Sequence, residues 1–140
     1  MRIERVRKGL RFAGYASVFD HVDRGGDIVL AGAFRQTLAR KAVVPLLWQH
    51  QPSRRVGRIE HLAEDSRGLQ VIGRLNDDEF GRLLARELEQ GRLSGLSFGY
   101  RVRAAEQGPA ARAISDLELL EVSLVRRPMQ PLACVHKIAL

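Results

Sequence analysis

The sequence predicts one mainly β domain with α-helices (α+β), a closed or nearly closed, mostly antiparallel β-barrel of about seven strands with surrounding helices. Its 140 residues suit a single compact domain spanning residues 1–140. The composition, 45% hydrophobic and 28% charged, is that of a globular protein. Short strand-like segments bounded by turn formers outnumber helical segments, and a barrel is a common way for so many strands to bury their apolar faces.

The first third of the chain alternates between strand and turn signals. Residues 10–19 are rich in aromatic and small residues and predict a strand, which ends in the turn formers of residues 20–27. Phe34, Thr37 and Leu38 then fall at helical spacing, so a short helix is expected there.

The next segments predict further strands. Residues 42–50 contain an apolar run that is too short for a helix, and Pro45 favours an edge position or a bulge within it. Residues 55–62 and 68–75 alternate on either side of a polar connection, which predicts a hairpin.

One amphipathic helix and two longer strands are expected in the second half. The helix is capped by Asp77 or Asp78 and stops at Gly91, and its apolar stripe is Phe80, Leu83, Leu84 and Leu88. From residue 94 the apolar period changes to two, which is typical of a strand. Residues 114–125 are nearly continuously apolar and predict a buried strand.

Composition excludes several classes of protein. No apolar run is long enough to span a bilayer, and no hydrophobic segment follows the basic start, so neither a membrane span nor a signal peptide is expected. The single cysteine, Cys134, allows no internal disulfide and has no metal-ligand neighbour at zinc-site spacing, which favours the reducing cytoplasm. We expect no metal and no cofactor.

The formal net charge of +7 permits an acidic partner or nucleic acid. The densest basic stretch lies in residues 2–11, and few aromatic residues are interleaved with it or with the smaller arginine clusters. Nucleic acid is therefore not expected as the main partner.

Three residues stand out as candidates for chemistry. His50 ends an apolar strand beside a turn, where a rigid backbone can present its ring to a cleft. Ser97 lies on the strand face opposite its apolar neighbours and is flanked by glycines, which let a substrate approach closely. Glu121 interrupts an apolar strand, and a buried carboxylate needs an arginine or a histidine as partner. From the residues alone, Ser94 remains an alternative to Ser97, and the partner of Glu121 stays open.

Four ordered segments resemble the motifs of the HK97-type prohead proteases of tailed phages, prophages and gene transfer agents. They are residues 25–34 (GGDIVLAGAF), 46–50 (LLWQH) with Val56 and Gly57 after it, 93–100 (LSGLSFGY) and 120–125 (LEVSLV). The resemblance covers about residues 10–135. It implies a fold similar to that of the herpesvirus assembly proteases.

The resemblance also implies a mechanism. Ser97 would be the nucleophile of a serine endopeptidase, His50 its general base and Glu121 the group that orients His50. The herpesvirus enzymes use a second histidine in this third role, so His61 and Asp116 are alternatives to Glu121. Gly99, Arg126 and Arg127 are the expected oxyanion-hole candidates.

The implied substrate is the scaffolding segment of the major capsid protein precursor, together with the protease itself. Cleavage would occur inside the procapsid in the host cytoplasm, and a homodimer is compatible with this role. The alternative is a noncatalytic capsid-assembly or nucleic-acid-binding module on the same barrel. An esterase is disfavoured because the Gly95–Gly99 segment, which matches G-x-S-x-G, continues as a strand instead of opening a helix.

Overall fold

The computed structural model describes residues 11–139. Residues 2–10 of the basic stretch therefore lie outside the described part of the chain. Within it are eight strands and two helices, bounded as follows: β1 Arg11–Val18, β2 Asp27–Val29, α1 Arg35–Ala39, β3 Pro45–Trp48, β4 Gln51–Glu64, β5 Gly68–Leu75, α2 Glu79–Glu89, β6 Gly95–Gln107, β7 Arg112–Val125 and β8 Val135–Ala139.

The strands form one curled sheet with β7 as its organising strand. On one edge of β7, β2 and β3 pair in parallel with its two ends, while β6 runs antiparallel along the other edge. The order continues from β3 through β4, β5 and β1 to β8, all antiparallel. The predicted mostly antiparallel sheet is confirmed, but the two parallel pairs were not expected.

The expectation of a closed or nearly closed barrel is wrong, because the sheet is a curled half-barrel. The chain just before β8 meets β6 only at an isolated bridge between Gly95 and Cys134, flanked by the bonds from Leu96 N to Ala133 O and from Val135 N to Ser94 O. A few bonds of this kind do not make a strand ladder. The strand near the C-terminus was also missed by the sequence analysis.

The helices follow the sequence signals closely. Asp78 caps α2, since its side chain accepts a hydrogen bond from Gly81 N at 2.7 Å. Leu84 and Leu88 are buried against the sheet. Leu83, which was expected in the apolar stripe, is 43% exposed instead. Phe80 packs its ring edge-to-face on Trp48 of β3, with centroids 5.8 Å apart, so α2 braces the strand that leads to His50.

The core fills the inside of the curl. Its largest fully buried side chains come from both sheet and helices and include Phe12, Phe34, Leu46, Leu69, Leu75, Leu84, Leu96, Ile114, Leu117 and Leu124. Leu96 and Leu124 lie opposite each other in the β6–β7 ladder. Because side chains alternate along a strand, the residues next to them, Ser97 and Ser123, point to the other face of the sheet.

Candidate active site

His50 lies in the two-residue turn between β3 and β4. Gln49 and His50 both have positive φ, at 52° and 59°, which is the pattern of a type I′ turn. A left-handed backbone costs a residue other than glycine about 1–2 kcal/mol. Three hydrogen bonds hold the turn: His50 N donates to Ser123 Oγ at 3.1 Å, Gln49 N donates to Leu124 O at 3.0 Å, and Arg126 N donates to Gln49 Oε1 at 2.8 Å. The surrounding structure therefore fixes the histidine in a strained conformation.

The Glu121 carboxylate joins His50 to Ser123. Its Oε1 is hydrogen-bonded to His50 Nδ1, and its Oε2 accepts a hydrogen bond from Ser123 Oγ at 2.6 Å. The carboxylate side chain is only 12% exposed. The hydrogen bond to Glu121 raises the pKa of the His50 imidazole above its ordinary value, although burial acts against it. A carboxylate at Nδ1 favours the tautomer that keeps its proton there, which leaves Nε2 as the basic nitrogen.

The β6–β7 ladder aligns the residues of the site in pairs. Ser97 lies opposite Ser123, and Gly99 lies opposite Glu121. These four residues share one face of the sheet. A Cβ atom on Gly99 would lie 2.6 Å from Glu121 Oε1, a distance that real Cβ atoms do not adopt. Glycine at this position therefore makes room for the carboxylate that holds His50.

Ser97 and His50 line one pocket of about 330 Å³. Ser97 is 4% exposed, whereas the His50 side chain is 44% exposed and stands at the mouth. Among the described residues no hydrogen bond joins Ser97 to His50. The other residues around the pocket are Ala16, Ser17, Asp23, Gly25, Asp27, Val29, Phe98, Gly99, Tyr100, Met129 and Gln130.

One wall of the pocket is held by a partly buried ionic cluster around Asp27. Its carboxylate accepts hydrogen bonds from Arg112 Nε at 2.8 Å, from a terminal guanidinium nitrogen of Arg112 at 3.0 Å and from Tyr100 Oη at 2.8 Å. The bond to Arg112 holds the pKa of Asp27 below its ordinary value. Burial and the bond to Asp27 raise the pKa of Tyr100. The cluster therefore ties β2, β6 and β7 together beside Ser97.

A second wall is made by the chain after β7. The Gln130 amide donates to Val18 O at 2.6 Å and to His21 O at 3.2 Å, and its oxygen accepts from Val18 N at 2.5 Å. Arg24 N donates to Met129 O at 2.8 Å. These bonds join the segment that follows β7 to the loop between β1 and β2, so two distant parts of the sequence close the pocket.

Neither a metal centre nor a membrane helix is found within residues 11–139. No group of three or more histidine, cysteine, aspartate or glutamate side chains in this range could hold a metal ion. No helix in the same range is long and apolar enough to cross a membrane.

Comparison with known families gives a match over nearly the whole chain. Residues 1–139 match the family described as caudovirus prohead serine protease. The chain belongs to this family. The resemblance seen in the four sequence motifs is thereby confirmed.

Individual relatives agree with this assignment. The prohead protease of Enterobacteria phage HK97 is 35% identical over 123 residues, which cover 84% of this chain and 55% of the phage protein. The chain thus spans about half the length of that relative.

Solved structures support the fold. The bacteriophage T4 capsid assembly protease aligns with a TM-score of 0.66 at 15% identity, covering 84% of this chain and 81% of its own. The protease of Kaposi's sarcoma-associated herpesvirus, bound to a hexapeptide phosphonate inhibitor, aligns with a TM-score of 0.59 at 16% identity. The alignment covers 91% of this chain and 63% of the herpesvirus protease. At these identities the likeness concerns the fold alone.

In this prohead protease family member, the three principal candidates meet at one place. Glu121 bonds to His50, and Ser97 lines the same pocket as His50 although the two are distant in sequence. The alternatives lie elsewhere: Asp116 pairs with Ala104 on the exposed part of the β6–β7 hairpin, and His61 lines a different groove. Ser94 does not line the pocket.

Of the three residues expected to form the oxyanion hole, only Gly99 lines the pocket. Gly99 lines the pocket and makes room for Glu121. The guanidinium of Arg126 stacks over the Trp48 ring at 5.4 Å from its centroid. Neither Arg126 nor Arg127 lines the pocket. The arginine pair therefore lies outside the lining of the pocket that contains Ser97.

The sequence analysis missed Ser123. This residue is fully buried, and its hydroxyl bonds both to the carboxylate and to the backbone of the histidine turn. A signal was available, because Ser123 follows Glu121 by two positions and residues two apart in a strand share a face.

Proposed function

We propose that this prohead protease family member is a serine endopeptidase with Ser97 as nucleophile, His50 as general base and Glu121 as the group that orients the base. The single observation that carries the proposal is the hydrogen bond between Glu121 and His50 at the mouth of the pocket that contains Ser97. A nucleophile, a base and a carboxylate on the far nitrogen of the base are the parts that acyl transfer requires.

The reaction follows from these positions. Ser97 Oγ attacks the peptide carbonyl while His50 Nε2 takes its proton, and the imidazolium is stabilised by Glu121. His50 then donates the proton to the leaving amine, and water releases the acyl group by the reverse steps. The mechanism requires Ser97 Oγ to reach Nε2 when substrate fills the pocket, and such bonds commonly form only in the complex.

The raised pKa of His50 fits a base that becomes an imidazolium during the reaction. Backbone N–H groups near Ser97 are the oxyanion donors in this proposal, since the arginine pair after β7 does not line the pocket.

The proposed substrate is the scaffolding segment of the major capsid protein precursor, with cleavage of the protease itself, inside the procapsid. The family and the likeness to the phage T4 capsid assembly protease support a role in capsid maturation. The positive net charge would favour association with an acidic segment.

Co-expression with the capsid precursor of the same genome tests the proposal. Wild type is expected to remove a defined segment of the precursor, seen by intact mass, and Ser97→Ala is expected to lose the activity by about 10⁶-fold in kcat. Ser115→Ala, at an exposed serine of β7, is the matched control and should cleave like wild type. An uncut but assembled precursor with wild type would refute the peptidase and favour the noncatalytic assembly module.

A further inference from the structure

We propose that a second groove, at the end of the β3–β4 hairpin opposite to His50, binds an acidic amphipathic segment of a protein partner. The groove has a volume of about 450 Å³ and is formed by the end of α1, the connection to β3 and the outer part of β4. It shares no lining residue with the pocket that contains Ser97. We call it the basic groove.

The charges of the basic groove are poorly compensated. Lys41, Arg55 and Arg58 line it, against one acidic side chain, Glu60. Within residues 11–139, no carboxylate lies within 4.0 Å of Lys41 or Arg55. A potential of one sign over a concave surface attracts a partner of the opposite sign.

Glu60 itself is already shared among three arginines. Its carboxylate pairs with Arg11 at 2.8 Å, with Arg74 at 3.0 Å and with Arg58 at 3.7 Å. One carboxylate is therefore paired with three guanidinium groups, so the net charge of this cluster is positive. This local excess of positive charge is a more specific reason to expect an acidic partner than the net charge of the whole chain.

The groove also has an apolar part, which favours a partner that carries apolar as well as acidic groups. Val43 at its rim is 91% exposed, and its other lining includes Leu38, Val44, Ile59 and Leu62, all only partly buried. An isolated exposed valine is ordinary, but here it adjoins further apolar surface and two cations, Lys41 and Arg55, that have no carboxylate partner within residues 11–139. A peptide with one apolar face and one acidic face satisfies both features, as helices do when they bind in grooves. Nucleic acid would satisfy only the charges.

Binding at the basic groove does not require the proposed peptidase chemistry. If that chemistry is correct, the groove would hold a segment of the substrate away from the cleavage site. The test therefore measures binding alone and uses the full chain with Ser97→Ala, which cannot cut the probe by the proposed mechanism. A failure of binding then leaves the proposed function unaffected, and the converse also holds.

Fluorescence anisotropy with a labelled peptide tests the inference. The probe is a helical peptide of about five turns with glutamates on one face and leucines on the other. A second peptide has lysines in place of the glutamates, and a third probe is single-stranded DNA. We expect the acidic peptide to bind at least about tenfold more tightly than the lysine peptide.

Variants locate the binding. The double variant Lys41→Glu with Arg55→Glu removes no described ion pair. It should weaken the affinity for the acidic peptide at least about tenfold. Val43→Asn changes an exposed side chain without adding a charge, so the fold should tolerate it, and it should weaken binding several-fold by removing apolar contact. The control pair Arg24→Glu with Arg86→Glu makes the same change of charge at two exposed arginines that have no described ion pair and do not line the groove, and it should bind like the parent.

Three results would overturn the inference. The acidic peptide could fail to bind, or it could bind equally to the groove variants and the parent. Alternatively, the DNA could bind more tightly than the acidic peptide and lose affinity in Lys41→Glu with Arg55→Glu, which would make the basic groove a nucleic-acid site.

Discussion

Gly99 and Glu121 face each other across the β6–β7 ladder so closely that a Cβ on Gly99 would lie 2.6 Å from Glu121 Oε1. That oxygen is the one hydrogen-bonded to His50. Gly99 also lies two residues after Ser97 on the same face of β6. The glycine thus links the strand that carries the proposed nucleophile to the Glu121 carboxylate, which orients the proposed base.

Gly99→Ala should displace the carboxylate and reduce activity. The added methyl group forces Glu121 away from His50, and a misplacement of about 1 Å in an active site can cost about 10²-fold in rate. We therefore expect kcat for cleavage of the capsid precursor to fall by about that factor, with the protein still folded by circular dichroism.

The control for this prediction is the Glu121→Ala background. Without the carboxylate there is no collision, so Gly99→Ala should have no further effect on the rate there. An equal loss in both backgrounds would show that Gly99 acts through the backbone and not through Glu121.

Ser123→Ala should impair positioning of the base. Its hydroxyl donates to Glu121 and accepts from the backbone of His50, so its removal leaves a buried carboxylate oxygen and a turn N–H without partners. Losses of this kind are worth about 1–3 kcal/mol, which is about 5–150-fold in rate. We expect the fall in kcat with little change in KM, and an altered His50 pKa by NMR titration. Ser115→Ala on the same strand should change neither, and a loss confined to thermal stability would contradict the positioning role.

His50→Gly should be more stable than His50→Ala, although both lose activity. Both variants remove the imidazole, so their difference isolates the backbone at φ 59°. Glycine adopts this conformation without the Cβ penalty, and we expect a difference of about 1 kcal/mol in the free energy of unfolding by urea titration. At Ser115, which has no left-handed backbone, the order should reverse. The same order at both positions would remove the argument for strain at His50.

Local patterns in the sequence predict most of the elements around this site. Alternation with period two identifies β6, and the Asp78 cap together with the spacing of Leu84 and Leu88 identifies α2. Parallel pairing of β3 with the end of β7 is invisible to such patterns, because it depends on segments more than seventy residues apart. The incomplete closure between Gly95 and Cys134 is a long-range feature of the same kind.

The candidate site, too, was predictable from the sequence only in part. Motif resemblance indicated Ser97, His50 and Glu121, but the roles of their neighbours depend on three-dimensional contacts. Nothing local distinguishes a glycine that makes room for a carboxylate, as Gly99 does, from one that shapes a turn. The stacking of Arg126 on Trp48 likewise follows from the approach of β3 to the end of β7.

Asp27→Asn should destabilise the pocket wall in a pH-dependent way. Asn cannot replace the charged partner of Arg112, so we expect a lower free energy of unfolding than that of wild type at pH 7. Since Arg112 lowers the pKa of Asp27 in the folded state, the wild-type advantage is complete above the ordinary value of 3.8. It should disappear as pH falls through the lowered value. Urea denaturation at several pH values checks this, and a difference that does not change with pH would refute it.

Glu121→Gln should change both the rate and its pH dependence. The bond to Glu121 raises the pKa of His50, and His50 must be neutral to accept the proton of Ser97. The acid limb of kcat/KM for wild type should therefore lie above the ordinary histidine value of 6.5, with activity rising as pH passes the raised pKa.

With glutamine at position 121 the pKa of His50 loses its main support, so the acid limb should move to lower pH. The maximum rate should also fall by about 10⁴-fold, because an amide that donates to Nδ1 favours the wrong tautomer. Initial rates measured across the pH range, with the His50 pKa read independently by NMR, test both effects. An acid limb that stays in place while the rate falls would mean that Glu121 acts on the reaction without controlling the protonation of His50.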